Sequence, residues 1–389
     1  MTLPDSAAPL AHTISDAPFN PDAIYDYTDA QQALFEASQL QLMWSKFCRH
    51  RPALISMIFL VVLYLTILVS EILAPYNLHS RHVDFIYAPP QSFHLFHDGR
   101  LRAPFVYGYD YKLNMENLKR EYTPNHEKIQ TIRWLCRGDT YKFWGAFEWD
   151  RHLVCPAEGG ALFLLGTDRL GRDILSRMIY GARVSITIGL LGVMVSLTLG
   201  ILIGGIAGYY GGLFDVISQR IIEVIQSIPS IPLWLALAAI LPITWSPIFV
   251  YFGITVILGL LDWTGLARTV RSKLLALREE DYVSATQVMG ASSWRIISRH
   301  LIPGFASHLI ATATLAIPTM ILGETTLSFL GLGLRAPITS WGVLLTEAQN
   351  INAVALYPWL LWPVLPVILV VLAFNFLGDG LRDAADPYK

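Results

Sequence analysis

Asp281-Tyr282-Val283-Ser284-Ala285-Thr286-Gln287-Val288-Met289-Gly290, running on to His300-Leu301-Ile302-Pro303, decides how the rest of the chain is read. This polar, basic-flanked stretch lies between long apolar runs. Asp281 to Met289 contains no Pro or Gly and is compatible with a helix, which Gly290 then ends by supplying positive φ. Ala291-Ser292-Ser293 reads as a turn with a fresh N-cap, and Trp294 to Ile302 as a second helix closed by Pro303. A helix–turn–helix on a membrane surface has no use for the bilayer. Its expected role is contact with another protein.

Composition supplies the membrane. Hydrophobic residues make up 53% of the 389 residues and charged residues 15%, against roughly 25% charged in soluble domains. Several apolar runs reach the roughly 20 residues that cross a bilayer. A large soluble core does not need such runs. The net charge of -2 gives no hint of nucleic-acid binding.

Residues 1–43 carry Asp5, Asp16, Asp22, Asp26, Asp29 and Glu36 without a Lys or Arg. That is not a signal peptide, whose start is basic. It reads as an acidic tail, with Gln31–Trp44 as a surface helix. Lys46, Arg49 and Arg51 precede the first span, Ala53–Leu73, and basic residues mark the cytoplasmic side. The N-terminus is therefore expected inside. About ninety polar and aromatic residues follow, expected as a small folded insert outside the membrane. Cys136 and Cys155 lie in it, whereas Cys48 precedes the first span. In an oxidising compartment the two either pair or stay as separate buried thiols.

Further spans are expected at Val184–Tyr209, Ser218–Ile240, Ile248–Leu266, Phe305–Leu330 and Trp359–Phe376. In the first of these, Gly192, Ser196, Gly200, Gly204, Gly208 and Gly212 recur every four residues. Small residues let helix backbones approach closely in lipid, and a period of four drifts around a helix of 3.6 residues per turn. The stripe is thus expected to wrap among several neighbours. The Ser218–Ile240 span begins with Gln219, Arg220, Glu223, Gln226 and Ser227. Such residues either line a water-filled path or pair locally, as Arg220 and Glu223 can at a spacing of three. Glu324 and Thr325 pose the same choice in the Phe305–Leu330 span: a polar pathway, or a tie to a neighbouring helix. Ala336–Pro358 is too polar to span and reads as an outer surface helix. Arg268, Arg271, Lys273 and Arg278 follow the Ile248–Leu266 span, so the opening stretch is expected to face the cytosol.

Enzyme signatures are lacking. Gly166-Thr167-Asp168-Arg169-Leu170-Gly171-Arg172-Asp173 lacks the Gly-Lys-Ser/Thr ending of a P-loop, and His126-Glu127 lacks the second His of a zinc protease helix. No position supports a metal site. An integral-membrane enzyme and a passive channel stand as the competing classes, although a channel has no need of a cytoplasmic helix–turn–helix.

The opening stretch resembles the coupling loop of ABC-importer permeases: Glu-Ala-Ala, three residues, Gly, nine residues, Ile-x-Leu-Pro. Ser284-Ala285-Thr286 take the Glu-Ala-Ala positions, Gly290 follows at the right spacing, and Leu301-Ile302-Pro303 close it. Ser284 stands for the Glu and His300 for the Ile. Three further segments resemble the oligopeptide/dipeptide branch. They are Gly166–Asp173 with Gly181-Ala182-Arg183-Val184-Ser185, Glu324 to Gly333, and the ending Leu377 to Pro387. The resemblance implies an all-α membrane protein of six transmembrane helices with the type I importer permease fold. Its expected divisions are a cytoplasmic tail (1–51), a first helix (52–74), an extracytoplasmic insert (75–165) and the permease domain (166–389) with coupling loop 268–303. Asp281, Tyr282, Ser284, Ala285, Thr286, Gly290 and Pro303 are the expected ATPase-coupling residues, and Gln226, Glu324 and Thr325 the pathway candidates. Implied partners are a second permease subunit in a heterodimer, two ATP-binding cassette ATPases that hold the ATP and Mg, and an extracytoplasmic solute-binding protein. The chain itself then binds no cofactor. The implied location is a bacterial inner membrane with both termini cytoplasmic. The ligand is expected to be a peptide, with nickel or an antimicrobial peptide as alternatives.

Overall fold

The computed structural model describes residues 38–115, 119–242 and 244–385. The acidic stretch 1–37, most of the expected Gln31–Trp44 helix and the closing Asp386-Pro387 lie outside the described residues.

Helix α1 (Gln39–Arg49) opens on a capping box in which Ser38 and Gln41 bond each other's backbone, satisfying two N–H groups that a helix start leaves orphaned. Helix α2 (Arg51–Leu68) follows, with Pro52 in its first turn, where a missing N–H costs nothing. A break at Val69 and a single turn, Ser70–Leu73, end the span. Then come five strands: β1 (His94–His97), β2 (Arg100–Asn114), β3 (Lys119–Thr131), β4 (Arg133–Phe143) and β5 (Phe147–Cys155). β1, β2 and β3 form one antiparallel sheet and β4–β5 a separate hairpin. The expectation of an all-α protein is corrected here. Tyr107, Tyr109, Tyr111 and Leu113 alternate along β2 with the period of a strand, and β-branched and aromatic residues favour a pleated surface. A disulfide joins Cys136 to Cys155 across the hairpin.

Helix α3 (Ile174–Tyr210) starts ten residues before the expected Val184, because Asp173 caps it by accepting from Ser176 N at 2.7 Å. Helices α4 (Gly212–Ser227) and α5 (Ser230–Ile240) stand where the Ser218–Ile240 span is expected and are bent by 93°. Pro229 disfavours helical backbone at the residue before it, and Ile228 is extended at φ -95°, ψ 132°. Helix α6 (Pro247–Leu277) carries the basic residues Arg268, Arg271 and Lys273 within its last turns. The stretch from Asp281 to Pro303, the coupling candidate, holds α7 (Asp281–Val288) and α8 (Ser293–Ile296). The chain then coils on through a π-helical stretch, Ile297–Leu301, and a turn, Ile302–Gly304. Pro303 therefore sits within the second helical segment and does not close it; the break comes at Phe305. Helix α9 (Ala306–Phe329), two short helices, α10 (Trp341–Leu345) and α11 (Ile351–Leu356), and α12 (Val364–Ala385) complete the described residues. The single surface helix expected in Ala336–Pro358 is corrected: α11 is exposed, but Trp341, Gly342, Leu344 and Leu345 of α10 are buried.

Among the described residues, five helices are long and apolar enough to cross a membrane, or six if the bent α4–α5 pair counts as one. The core lies between α3, α6, α9 and α12, where Ile186, Ile188, Ile254, Leu258, Met320, Ile321 and Val370 are fully enclosed. The small-residue stripe of α3 wraps as its period requires. A Cβ at Gly192 would meet Met320 of α9, whereas one at Gly200 would come within 2.7 Å of Leu266 and one at Gly208 within 2.8 Å of the Arg271 carbonyl, both on α6. Backbones this close are what small residues permit in lipid.

Candidate coupling and pathway sites

At the coupling stretch, α7 ends in a complete Schellman cap. Gly290 N bonds Gln287 O at 2.9 Å and Ala291 N bonds Thr286 O at 3.2 Å, with Gly290 at φ 79°. These bonds satisfy carbonyls that the helix end leaves open. Ser292 then caps α8 by accepting from Arg295 N. Val283, Ile296, Ile297 and Leu301 turn inward onto Leu266, Val270 and Leu274 of α6 and Leu309 of α9. The element is thus held by both helices that flank it in sequence.

The outward face carries a large apolar rim among polar residues. Tyr282 is 45% exposed, Trp294 67%, Met289 77% and Val288 89%. Of the sequence candidates, Asp281, Tyr282, Ser284, Ala285, Gly290 and Pro303 lie on the outside, whereas Thr286 is buried and bonds Tyr282 O at 2.6 Å. Sequence reasoning passed over Val288, Met289 and Trp294, since an apolar residue in a short helix reads as core. No local pattern in the sequence marks them as exposed.

The pathway candidates separate. Gln226 donates to Thr264 Oγ1 at 3.2 Å and, with Asp262, Ser230 and Pro229, lines a cavity of about 390 Å³ under the α4–α5 bend. Glu324 is instead enclosed by three serines on three segments. Its Oε1 accepts from Ser340 at 2.6 Å and Ser328 at 2.8 Å, and its Oε2 from Ser185 at 3.2 Å. Each of these hydroxyls also accepts a backbone N–H, from Val343, Leu334 and Trp341 respectively. A buried carboxylate is tolerable when hydrogen bonds surround it, and here they tie α3, α9 and α10 together. Thr325 is buried alongside. Arg220 and Glu223 pair with each other at 2.7 Å on an exposed face.

The segment Gly166–Asp173 is a knot of charges. Asp168 accepts from the backbone of Leu170 and Arg172, from Arg172 Nε at 2.7 Å and from Arg177 at 2.5 Å. Glu347 lies 3.6 Å from Arg169, 3.8 Å from Arg172 and 4.0 Å from Arg177. Burial holds the Asp173 carboxyl up at about 6, partly offset by its two bonds to Ser176. Burial likewise raises Glu347 above its usual range.

Known proteins resemble this chain in sequence. Residues 200–388 match the family model "Binding-protein-dependent transport system inner membrane component", and residues 38–90 match "N-terminal TM domain of oligopeptide transport permease C". The dipeptide transport system permease protein DppC of Bacillus subtilis (strain 168) is 38% identical over 222 residues, 57% of this chain and 68% of that protein. The oligopeptide transport system permease protein OppC of Haemophilus influenzae is 38% identical over 241 residues, 62% of this chain and 75% of that protein. A solved inward-facing MetNI methionine ABC transporter covers 55% of this chain and 96% of its own at a TM-score of 0.41 and 19% identity, too loose a likeness to carry an argument. The chain belongs to the permease subunits of binding-protein-dependent ABC importers, in their oligopeptide/dipeptide branch.

Proposed function

We propose that this chain forms half of a peptide-conducting pathway in a bacterial inner membrane, and that the α7–α8 element is where force from cytoplasmic ATPases enters it. The family consists of transport subunits whose ATP hydrolysis resides in separate subunits. Energy therefore arrives by contact. The observation that carries the reading is the pairing of an exposed apolar rim (Val288, Met289, Trp294) with a buried root on α6 and α9. A partner that grips the rim moves both helices as one body, the kind of rigid motion that alternates access between the two sides.

Six crossings, with α4–α5 as one broken span, is the count we adopt. Its support is parity: a Cβ at Gly380, near the end of α12, would collide with Ala53 at the start of α2, and Phe47, Ala53 and Ala384 share one cluster. Both ends of the bundle's chain meet on one side, which an odd number of crossings does not allow. Arg49 and Arg51 at that end, and Arg278 bonding the carbonyls of Gly208 and Tyr209, make it the cytoplasmic side by charge. The sheets and the Cys136–Cys155 disulfide then face outward. On this reading the divisions are 1–51, 52–74, 75–165 and 166–389, and Gln226 with Asp262 is the stronger pathway candidate. Glu324 holds the helices around it. The partners are a second permease subunit, two ATPases holding ATP and Mg, and a solute-binding protein that presents the peptide.

Gly290→Val tests the coupling role. The substitution forces a β-branched residue into left-handed backbone, which costs about 1–2 kcal/mol, in open space where nothing clashes. Membrane insertion persists, while uptake falls through loss of ATPase association or uncoupled hydrolysis. Uptake at the wild-type rate with normal association overturns the role.

A further inference from the structure

We propose that the tip of the β4–β5 hairpin, Phe143 to Trp149, is a membrane anchor seated at the headgroup–acyl boundary of the outer leaflet, beside the first span. The inference rests on the outward placement of the insert given above.

Depth is the first argument. Helix α2 has 18 residues, so Leu68 lies roughly 25 Å above Arg51 along its axis, close to the outer edge of a hydrocarbon core about 30 Å thick. The Trp144 indole N–H donates to the Leu68 carbonyl at 2.9 Å, and Trp144 N donates to Glu71 at 3.1 Å. Arg183, paired with Glu71 at 2.5 Å, lies 4.0 Å over the Trp144 ring. The tip is therefore pinned where apolar surface gives way to charge.

Chemistry is the second. Phe143 pairs directly with Phe147 and Lys142 with Glu148, so the hairpin end has an aromatic face and a charged one. The rings of Phe143, Phe147 and Trp149 lie 5.4 to 6.3 Å apart. They form an open cluster in which Phe147 is 53% exposed and Trp149 39%. Indole rings concentrate at membrane interfaces, where one side is apolar and the other wet, and the phenyl rings beside Trp149 add apolar surface to bury there.

Continuity is the third. Leu68 (53% exposed), whose carbonyl bonds the tip, and Leu65 (56%) one turn earlier in α2 present their side chains outward, as residues facing lipid do. Trp144 holds φ 48° and Gly145 φ 73° in the turn. A bulky residue keeps left-handed backbone only where its surroundings fix it, and the bonds to Leu68 and Glu71 do so. Lipid is the occupant this surface fits.

The test uses the full chain with its copurifying subunits in lipid nanodiscs, carrying a nitroxide on Phe147→Cys in a Cys48→Ser background. Trp149→Cys is a second position, and Arg100→Cys at the exposed β1–β2 turn a water control. Collision with oxygen severalfold above the Arg100 control, and with a water-soluble nickel chelate severalfold below it, is the expected result. Phe147 matching the control overturns the proposal, and exclusion of both reagents overturns it in favour of a covering protein. Should Arg100→Cys in intact cells resist a membrane-impermeant maleimide, the outward placement fails instead.

Discussion

The Glu324 carboxylate accepts a 2.6 Å bond from the Ser340 hydroxyl, so a residue deep in α9 is tied to the cap of the outer helix α10. With Ser185 and Ser328 bonding the same carboxylate, Glu324 is a fastener between segments. Glu324→Gln keeps an acceptor oxygen and places a donor beside the third serine, so the variant assembles with modest loss. Glu324→Leu leaves the three buried O–H donors without an acceptor at about 1–3 kcal/mol each and prevents stable folding. Yield and thermal unfolding of the purified variants check this. A leucine variant that assembles normally yet abolishes uptake returns Glu324 to the pathway.

The Asp168–Arg177 pair has both side chains at most 4% exposed. Removing one member of a buried pair strands the other, at about 3 kcal/mol or more. Arg177→Met is expected to be the more damaging change, and Asp168→Asn combined with it recovers part of the loss. Chemical unfolding of the single and double variants measures the coupling.

Asp173 gives a pH dependence of unusual sign. Its folded value, held at about 6 by burial, exceeds the ordinary aspartate value of 3.8. The native state therefore binds the extra proton, and the stabilisation is full below the unfolded value and lost as pH rises through about 6. Thermal stability should fall between about pH 4 and about pH 6 for this group, against the usual carboxylate trend. Asp173→Asn should flatten that slope, as read from unfolding temperatures across the range.

How much was legible follows from the physics. Apolar runs near 20 residues declare themselves, and five helices long and apolar enough to cross a membrane stand where such runs were expected. The Gly290 cap was legible because only one residue type takes that backbone without cost. The bend at Ile228–Pro229 was half visible: the proline announces a break, but its 93° angle is set by packing. The sheets were missed because the insert was read for composition, although Tyr107, Tyr109 and Tyr111 alternate. Glu324's partners were invisible, since Ser185 and Ser340 are brought to it by tertiary structure. Val288, Met289 and Trp294 are apolar yet outside, which no local pattern separates from core.

The coupling claim meets its most direct test in a photo-crosslinker placed at Met289 in living cells, with the adducts identified by mass spectrometry. The account predicts a covalent adduct with an ATP-binding cassette ATPase, weakened when Gly290→Val is added. An adduct formed solely with extracytoplasmic proteins, or robust uptake with no ATPase adduct at Met289, contradicts it.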